Sequence, residues 1–221
     1  MVQERRSHAA PATPARPATA IRYRDLRAEL LAAAERLIET RGLAHLRARD
    51  LANLAGCSLG AIYNVFSDLD ELILAVSANT LTAIDRDMAE IEGEDPLQRL
   101  TAMADAYLTY AARNRLRWEA LFSHRMPADA VVPQWFRDIQ NVAFSHIAGP
   151  LAQLRPDLPE EVRELLGRSI FASVHGMVAL GLDKRVAPMD LPVLRSQIAL
   201  VVSAIVHGLS TGALPRHRRE A

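Results

Sequence analysis

From Arg22 onward, apolar residues return at every third or fourth position almost without interruption, the period of an α-helix rather than the alternation of a strand. That pattern leaves little chain from which to build a sheet. Only 5% of the 221 residues are aromatic and ten are glycine, so the strand and turn chemistry of an all-β protein is missing as well. An all-α fold of about nine helices follows. The first helix should run from Tyr23 to Arg41, with Leu26, Leu30, Ala33, Leu37 and Ile38 on one stripe and Gly42 in a left-handed cap. Two short helices are expected over 49–55 and 58–65, then a longer one over 68–92 opened by Asp68 and Glu71 at capping-box spacing. Helices over 97–113, 133–154, 160–182 and 191–211 complete the series, with prolines punctuating the joints. No internal repeat is present.

Half of the residues are apolar and 24% charged, a soluble composition long enough for one large domain or two smaller ones. Cys57 is the only cysteine, so neither a disulfide framework nor a multi-thiolate zinc site can form, and a reducing compartment is expected. Residues 1–20 combine prolines with alanine and small polar residues and read as a disordered arm. The arm has arginines but no apolar core of a secretory signal. The apolar run Ile198 to Leu209 is about a dozen residues, short of the roughly 18 to 20 that span a bilayer. These features predict a cytoplasmic protein with no membrane partner.

The segment Leu46 to Leu72 carries the function. A helix ending near Ala55, a turn Gly56-Cys57-Ser58 and a second short helix have helix-turn-helix spacing, which assigns residues 21–68 to a DNA-binding domain and 69–221 to a second helical domain. Leu51, Ala52, Ala55, Ile62 and Phe66 should face inward, Cys57 should plug the turn, and Ser58 should cap the second helix. Its outer face is then Leu59, Gly60, Ala61, Tyr63 and Asn64. Small residues there let the backbone approach DNA, Tyr63 can donate to a phosphate, and Asn64 can read a base edge or a phosphate.

This stretch resembles the DNA-binding domain of the tetracycline-repressor (TetR) family, through Arg49, Leu51, Ala52, Ala55, Gly56, Ser58, Gly60, Ile62, Tyr63, Phe66 and Leu72 in one register. Two positions depart from the family pattern. Arg47 stands where a capping threonine is usual, losing the cap but offering a phosphate contact, and Leu69 stands where a lysine commonly meets the backbone of DNA. Ser173-Val174-His175-Gly176 is also similar to the Trp-His-Gly signature of one subgroup of the family's regulatory domains, with valine for tryptophan. The resemblance implies a homodimeric regulator, a repressor, in which a small apolar effector shifts the helix over 68–92 and releases a palindromic double-stranded operator. The expected DNA contacts are Arg22, Arg47, Arg49, Ser58, Leu59, Gly60, Ala61, Tyr63 and Asn64.

Gly56-Cys57-Ser58-Leu59-Gly60 also satisfies the G-x-S-x-G pattern of a hydrolase nucleophile elbow, but an elbow requires a strand before the serine and the preceding RDLANLA has helical spacing. No catalytic residue is expected. The seven histidines show neither Glu-x-x-His nor His-x-x-x-His spacing, so neither a metal nor another cofactor is expected. His124 and His175 are the two that a ligand is expected to touch, if any.

Most of the aromatics lie between residues 107 and 171, a grouping that suits an apolar effector pocket with adaptable methionines at its wall. Met103, Tyr107, Trp118, Phe122, Trp135, Phe144, Phe171 and His175 are the expected lining. The last two helices lack a polar face, and a helix apolar all round must be covered on both sides. A four-helix bundle across a two-fold axis would cover them, with Ser169, Ser173, Gly176, Leu180, Ile198, Val202, Ile205 and Leu209 in the dimer interface.

The formal charge of zero first argues against nucleic acid, yet it is a cancellation. Residues 1–66 carry ten arginines against six carboxylates, a net +4, and the remainder carries −4. A basic arm and reading head thus precede an acidic body, which favours end-on docking to DNA. A helical carrier protein that binds small molecules without regulating transcription is the alternative, and operator binding separates the two.

Overall fold

The computed structural model describes residues 17–127, 129–186 and 188–211, so the expected arm lies outside the described residues up to Arg16. Nine α-helices follow one another: α1 (Pro17–Arg41), α2 (Ala48–Ala55), α3 (Leu59–Val65), α4 (Leu69–Ala89), α5 (Pro96–Arg113), α6 (Arg115–Ser123), α7 (Gln134–Leu154), α8 (Glu160–Leu182) and α9 (Leu191–Ser210). No strand occurs among the described residues. The first helix begins six residues earlier than its apolar stripe suggests; Pro17 sits in its first turn, where proline's fixed φ suits the helix and its missing N–H costs nothing. At its other end Gly42 takes φ 79° and ψ 163°, open to glycine alone but extended rather than left-handed helical. A short 3-10 turn, Leu43–His45, then leads into α2.

Helix α6 was not legible in the sequence. Its only buried residues are Trp118 and Ala120, too few for a one-sided stripe, and Asn114 closes α5 and opens α6 at φ −120°, ψ 43°. The Tyr110 carbonyl accepts both the Asn114 backbone N–H at 2.9 Å and the Asn114 side-chain amide at 3.1 Å, which closes α5.

Two large cores divide the chain, with a small third cluster of Leu74, Ala78 and Phe136 between α4 and α7. Leu30, Ala33, Leu37 and Ile38 of α1, Leu51 and Ala52 of α2, and Ile62, Val65 and Phe66 form the first with Leu72, Ile73 and Val76 of α4. The second gathers Ile84 and Met88 of α4 with α5, α7, α8 and α9. Every residue from Leu72 to Ala78 is buried, so α4 is a rod embedded in the first core and continuous with the second. Each such large apolar side chain contributes roughly 1.5–3 kcal/mol on burial. A shift of α4 must therefore repack both ends.

Candidate nucleic-acid interface and effector cavity

The turn between α2 and α3 is built by Gly56, which adopts φ 65°, ψ 30°, the left-handed cap that L-residues avoid, while the Cys57 N–H bonds back to the Ala52 carbonyl at 3.0 Å. Ser58 caps α3 as its type predicts: its Oγ accepts the Ala61 N–H at 3.2 Å. Because α2 precedes Ser58, the strand-to-helix elbow of a hydrolase is not formed there. Leu51 and Ile62 are fully buried, and Cys57 packs against the same core.

The outward side chains assemble as expected. Ser58, Leu59, Gly60, Tyr63 and Asn64 are exposed, Ala61 is half-buried, and the exposed Arg22, Arg47 and Arg49 lie on the flanking α1 and α2 segments. Tyr63 and Leu59 expose 48% and 41% of their surface. Arg47 occupies the cap of α2 without a side-chain capping bond, and its guanidinium donates to the carbonyls of Ala44 at 2.9 Å and Leu46 at 3.4 Å. Leu54, 47% exposed on α2, extends the apolar surface beyond the expected set.

The reading head is tied to α4 at the α3–α4 corner. Asp68 caps α4 by accepting the Glu71 N–H at 2.7 Å, while the Glu71 carboxylate accepts the Ser67 N–H at 2.8 Å, one residue before the cap that a regular capping box would engage. Arg27 of α1 lies 3.9 Å from that carboxylate and stacks its guanidinium 4.7 Å from the centre of the Phe66 ring. The Tyr23 hydroxyl donates to the Val65 carbonyl at 3.0 Å, fixing the end of α3.

An apolar cavity of about 150 Å³ lies among α4, α5, α6, α7 and α8. Tyr107, Phe122, Phe144 and Phe171 line it, as expected, together with Leu81, Ile84 and Met88 of α4 and Leu121, Phe136, Gln140, Ala143 and Ile147. The latter residues were missed because helical spacing alone cannot tell a cavity wall from a filled core. Four expected lining residues stand elsewhere. Trp135 is 41% exposed and packs edge-on against Phe136, since the helix turns the neighbouring residue inward instead. Met103 lines a separate void of about 30 Å³ on the far side of Tyr107.

Trp118 and His175 stand behind Tyr107 rather than on the cavity wall. The Trp118 indole N–H donates to the Tyr107 oxygen at 2.9 Å, and that oxygen lies 2.8 Å from His175 Nδ1. Since an indole can only donate, the arrangement that satisfies every buried group has the Tyr107 O–H donating to Nδ1, with the imidazole proton on Nε2. Burial lowers the His175 pKa below its ordinary value and raises that of Tyr107, so both are neutral near pH 7. The Phe122 and His175 rings are 4.2 Å apart. His124 is away from the cavity, its Nε2 3.4 Å from Asp70 Oδ1 at the start of α4. Among the described residues no group of His, Cys, Asp and Glu is arranged to hold a metal ion.

Helix α6 joins the two regions. Arg117 donates from Nη2 to Glu35 and from Nη1 to Glu39 of α1, both at 3.0 Å, and from Nε to Thr80 Oγ1 of α4 at 3.0 Å. Asn79 of α4 reaches the same Glu35 oxygen at 2.7 Å. One arginine thus spans the reading head, the rod and the helix that carries Trp118.

The outer face of the last two helices carries exposed apolar side chains among serines and charged residues. Ser169, Ser173 and Leu180 are exposed on α8, Gly176 is half-buried, and Leu165 is 65% exposed. The α9 assignment needs correction: Ile198, Val202 and Leu209 are no more than 2% exposed in the subunit's own core, and Ile205 packs against it. The exposed Arg195, Ser196, Gln197 and His207 mark the side of α9 that turns out. That side also holds Val193 and Leu200, the latter 61% exposed. Helices α8 and α9 are each long and apolar enough to cross a bilayer by length and composition, which corrects the shorter estimate from the 198–209 run alone.

A reading head that shares one embedded helix with an internal cavity is a means of coupling a small molecule to DNA, and it defines the class: a DNA-binding transcriptional regulator with a ligand-binding C-terminal domain. Residues 30–76 match the model of the bacterial regulatory proteins, tetR family, and residues 100–205 match that of the tetracyclin repressor-like C-terminal domain. The chain belongs to the TetR family. No curated protein sequence matches it. Among solved structures it is similar to a protein of unknown function from Rhodococcus sp. RHA1, at 24% identity and a TM-score of 0.61 over 85% of this chain and 94% of that one. A tetR-family transcriptional regulator from Streptomyces coelicolor superposes with a TM-score of 0.65 at 18% identity, over 86% and 84% of the two chains. The complex of RolR with resorcinol superposes with a TM-score of 0.62 at 15% identity, over 89% and 98%.

Proposed function

We propose that the protein is a homodimeric cytoplasmic repressor, without catalytic activity, that leaves a palindromic operator when a small, largely apolar effector enters the cavity. The observation that carries this reading is the single rod α4, capped against the recognition helix at one end and lining the cavity with Leu81, Ile84 and Met88 at the other. Residues 21–68 act as the reading head and 69–221 as the effector and dimerisation domain. In it Arg22, Arg47, Arg49 and Tyr63 hold phosphates, Asn64 reads a base or phosphate, and Leu59, Gly60 and Ala61 allow close approach. Two such heads, paired through the outer faces of α8 and α9, meet successive major grooves about 34–36 Å apart or a multiple of that distance. The RolR fold neighbour has resorcinol bound, which fits a small aromatic effector for this chain too. An effector that prefers the released conformation by about 1–3 kcal/mol lowers operator affinity roughly 5- to 150-fold.

An anisotropy titration against the DNA flanking its own gene tests the reading. Saturable binding by the wild type that Tyr63→Ala abolishes supports it; binding that the substitution leaves unaltered removes α3 from the interface.

A further inference from the structure

The side chains that α3 presents restrict which bases it can read. We infer that the base pairs under α3 are A·T, with Leu59 packed on the 5-methyl group of a thymine and Asn64 hydrogen-bonded to an adenine; this rests on the DNA-binding reading above. The hydrogen-bonding inventory sets the first limit. The sequence of α3, LGAIYNV, contains no Arg, Lys, Gln, Asp or Glu. A guanine is most often read by the fork of an arginine or by a lysine, and a cytosine by a carboxylate, so α3 lacks the usual partner for either base of a G·C pair. An asparagine amide instead matches N6 and N7 of adenine, and an aliphatic side chain matches the thymine methyl.

The groups flanking α3 do not supply what it lacks. Ser58 is held as its cap, Oγ accepting the Ala61 N–H at 3.2 Å. The Arg47 guanidinium donates to the carbonyls of Ala44 and Leu46, which keeps it at the start of α2. Asp68 and Glu71, the nearest carboxylates beyond α3, accept the backbone N–H groups of Glu71 and Ser67 at the α3–α4 corner.

Leu59 is the second observation. It opens α3, the part of a recognition helix that meets base edges, and leaves 41% of its surface exposed. It belongs to none of the subunit's apolar clusters, so packing inside the subunit does not call for a leucine there. The next residue is Gly60, where a Cβ would meet nothing nearer than Ser58 Oγ at 4.0 Å. The missing side chain thus serves no packing within the subunit, and it lets the helix sink far enough into the groove for Leu59 to reach a methyl group. Asn64 stands four residues after Gly60, on the same stripe, and makes no side-chain hydrogen bond among the described residues.

Selection of binding sites by the full-length protein from a random duplex library, repeated with Leu59→Ala and Asn64→Ala, tests the inference. Each thymine of the selected site is then replaced by deoxyuridine, which removes the 5-methyl group and nothing else, and affinity is read by anisotropy. At one thymine per half-site the replacement should weaken the wild type roughly three- to fivefold, the loss of one buried methyl, and leave Leu59→Ala unchanged. Asn64→Ala should lose its preference for adenine at one position of the half-site. Both substitutions are at exposed positions, and either one alone keeps the inference open to refutation. A selected site in which no deoxyuridine weakens the wild type, or in which each weakens wild type and Leu59→Ala equally, overturns the methyl contact. A preference for a G·C pair that either substitution relaxes overturns the A·T assignment, and both of these results leave the regulator reading intact. Selection of no sequence at all by the wild type rejects that reading, and this inference with it.

Discussion

Arg117 of α6 clamps Glu35 of α1 at 3.0 Å, and the next residue, Trp118, donates to Tyr107 at the cavity wall. Adjacent side chains of a nine-residue helix therefore engage different elements, one α1 and α4 and the other Tyr107 of α5. The side chains of Arg117 and Glu35 are only 16% and 21% exposed, so the pair is shielded enough to contribute more than an open surface bridge. Replacing Arg117 by alanine leaves Glu39 and Thr80 Oγ1 without this donor and Glu35 with Asn79 alone, and should destabilise the protein by about 1–3 kcal/mol. Arg117→Lys should recover only part of this, since a single ammonium cannot span the same three acceptors with a planar fork. Denaturant unfolding of the three proteins measures the difference; equal midpoints would show that the clamp holds nothing.

Operator affinity should depend on one phenolic oxygen. Tyr63 is half exposed on α3 and makes no hydrogen bond within the described residues, so Tyr63→Phe removes an outward donor and little else. A loss of about 1 kcal/mol, roughly fivefold in anisotropy, is expected with an unchanged dimer by sedimentation. Unchanged affinity takes Tyr63 out of the contact set.

Acid should weaken the fold through His175. Burial places its folded pKa below the ordinary 6.5, so as pH falls through 6.5 the unfolded chain binds a proton before the folded one does. Stability is therefore unaffected by this group above that pH, declines below it, and stops declining once the folded imidazole is protonated. His175→Gln, which keeps an acceptor for Tyr107, should flatten this part of the profile between pH 7 and 5 in urea unfolding. A variant whose profile parallels the wild type shows that the decline arises from other groups.

The helix-turn-helix itself was legible in the sequence because its local structure is set by near neighbours. Gly56 at a left-handed turn, Ser58 at a cap and the spacing of Leu51, Ile62 and Phe66 are all fixed by neighbours a few positions away. The cavity was legible only as a group of aromatics. Whether Trp135 or Phe136 turns inward depends on where α7 lies against α4, and no periodicity states that. In helix α9 the exposed Arg195, Ser196, Gln197 and His207 mark the outer side, and the buried stripe is Leu194, Ile198, Val202, Val206 and Leu209. Helix α6 failed because its sequence has almost no stripe, yet it carries Arg117 and Trp118.

Two glycines of α8 differ in what a side chain there would meet, which separates the proposed dimer face from subunit packing. A Cβ at Gly176 meets nothing within 4 Å inside the subunit, whereas one at Gly181 lies 2.7 Å from the fully buried Leu194 of α9. Gly176→Asp should therefore split the dimer while the monomer stays folded. Gly181→Ala should instead cost about 1–3 kcal/mol of subunit stability. Sedimentation and thermal unfolding of both variants distinguish these effects; a Gly176→Asp protein that remains dimeric moves the interface away from this face.

The central claim is that this chain reads DNA as a two-fold dimer through α3. Its most direct test is recovery and sequencing of genomic fragments bound by the full-length protein, beside the Tyr63→Ala variant. Enrichment of one inverted repeat is expected, with half-sites about 10–10.5 base pairs apart centre to centre or a multiple of that, and absent with the variant. Fragments with no shared inverted repeat, or the same enrichment from both proteins, would contradict it.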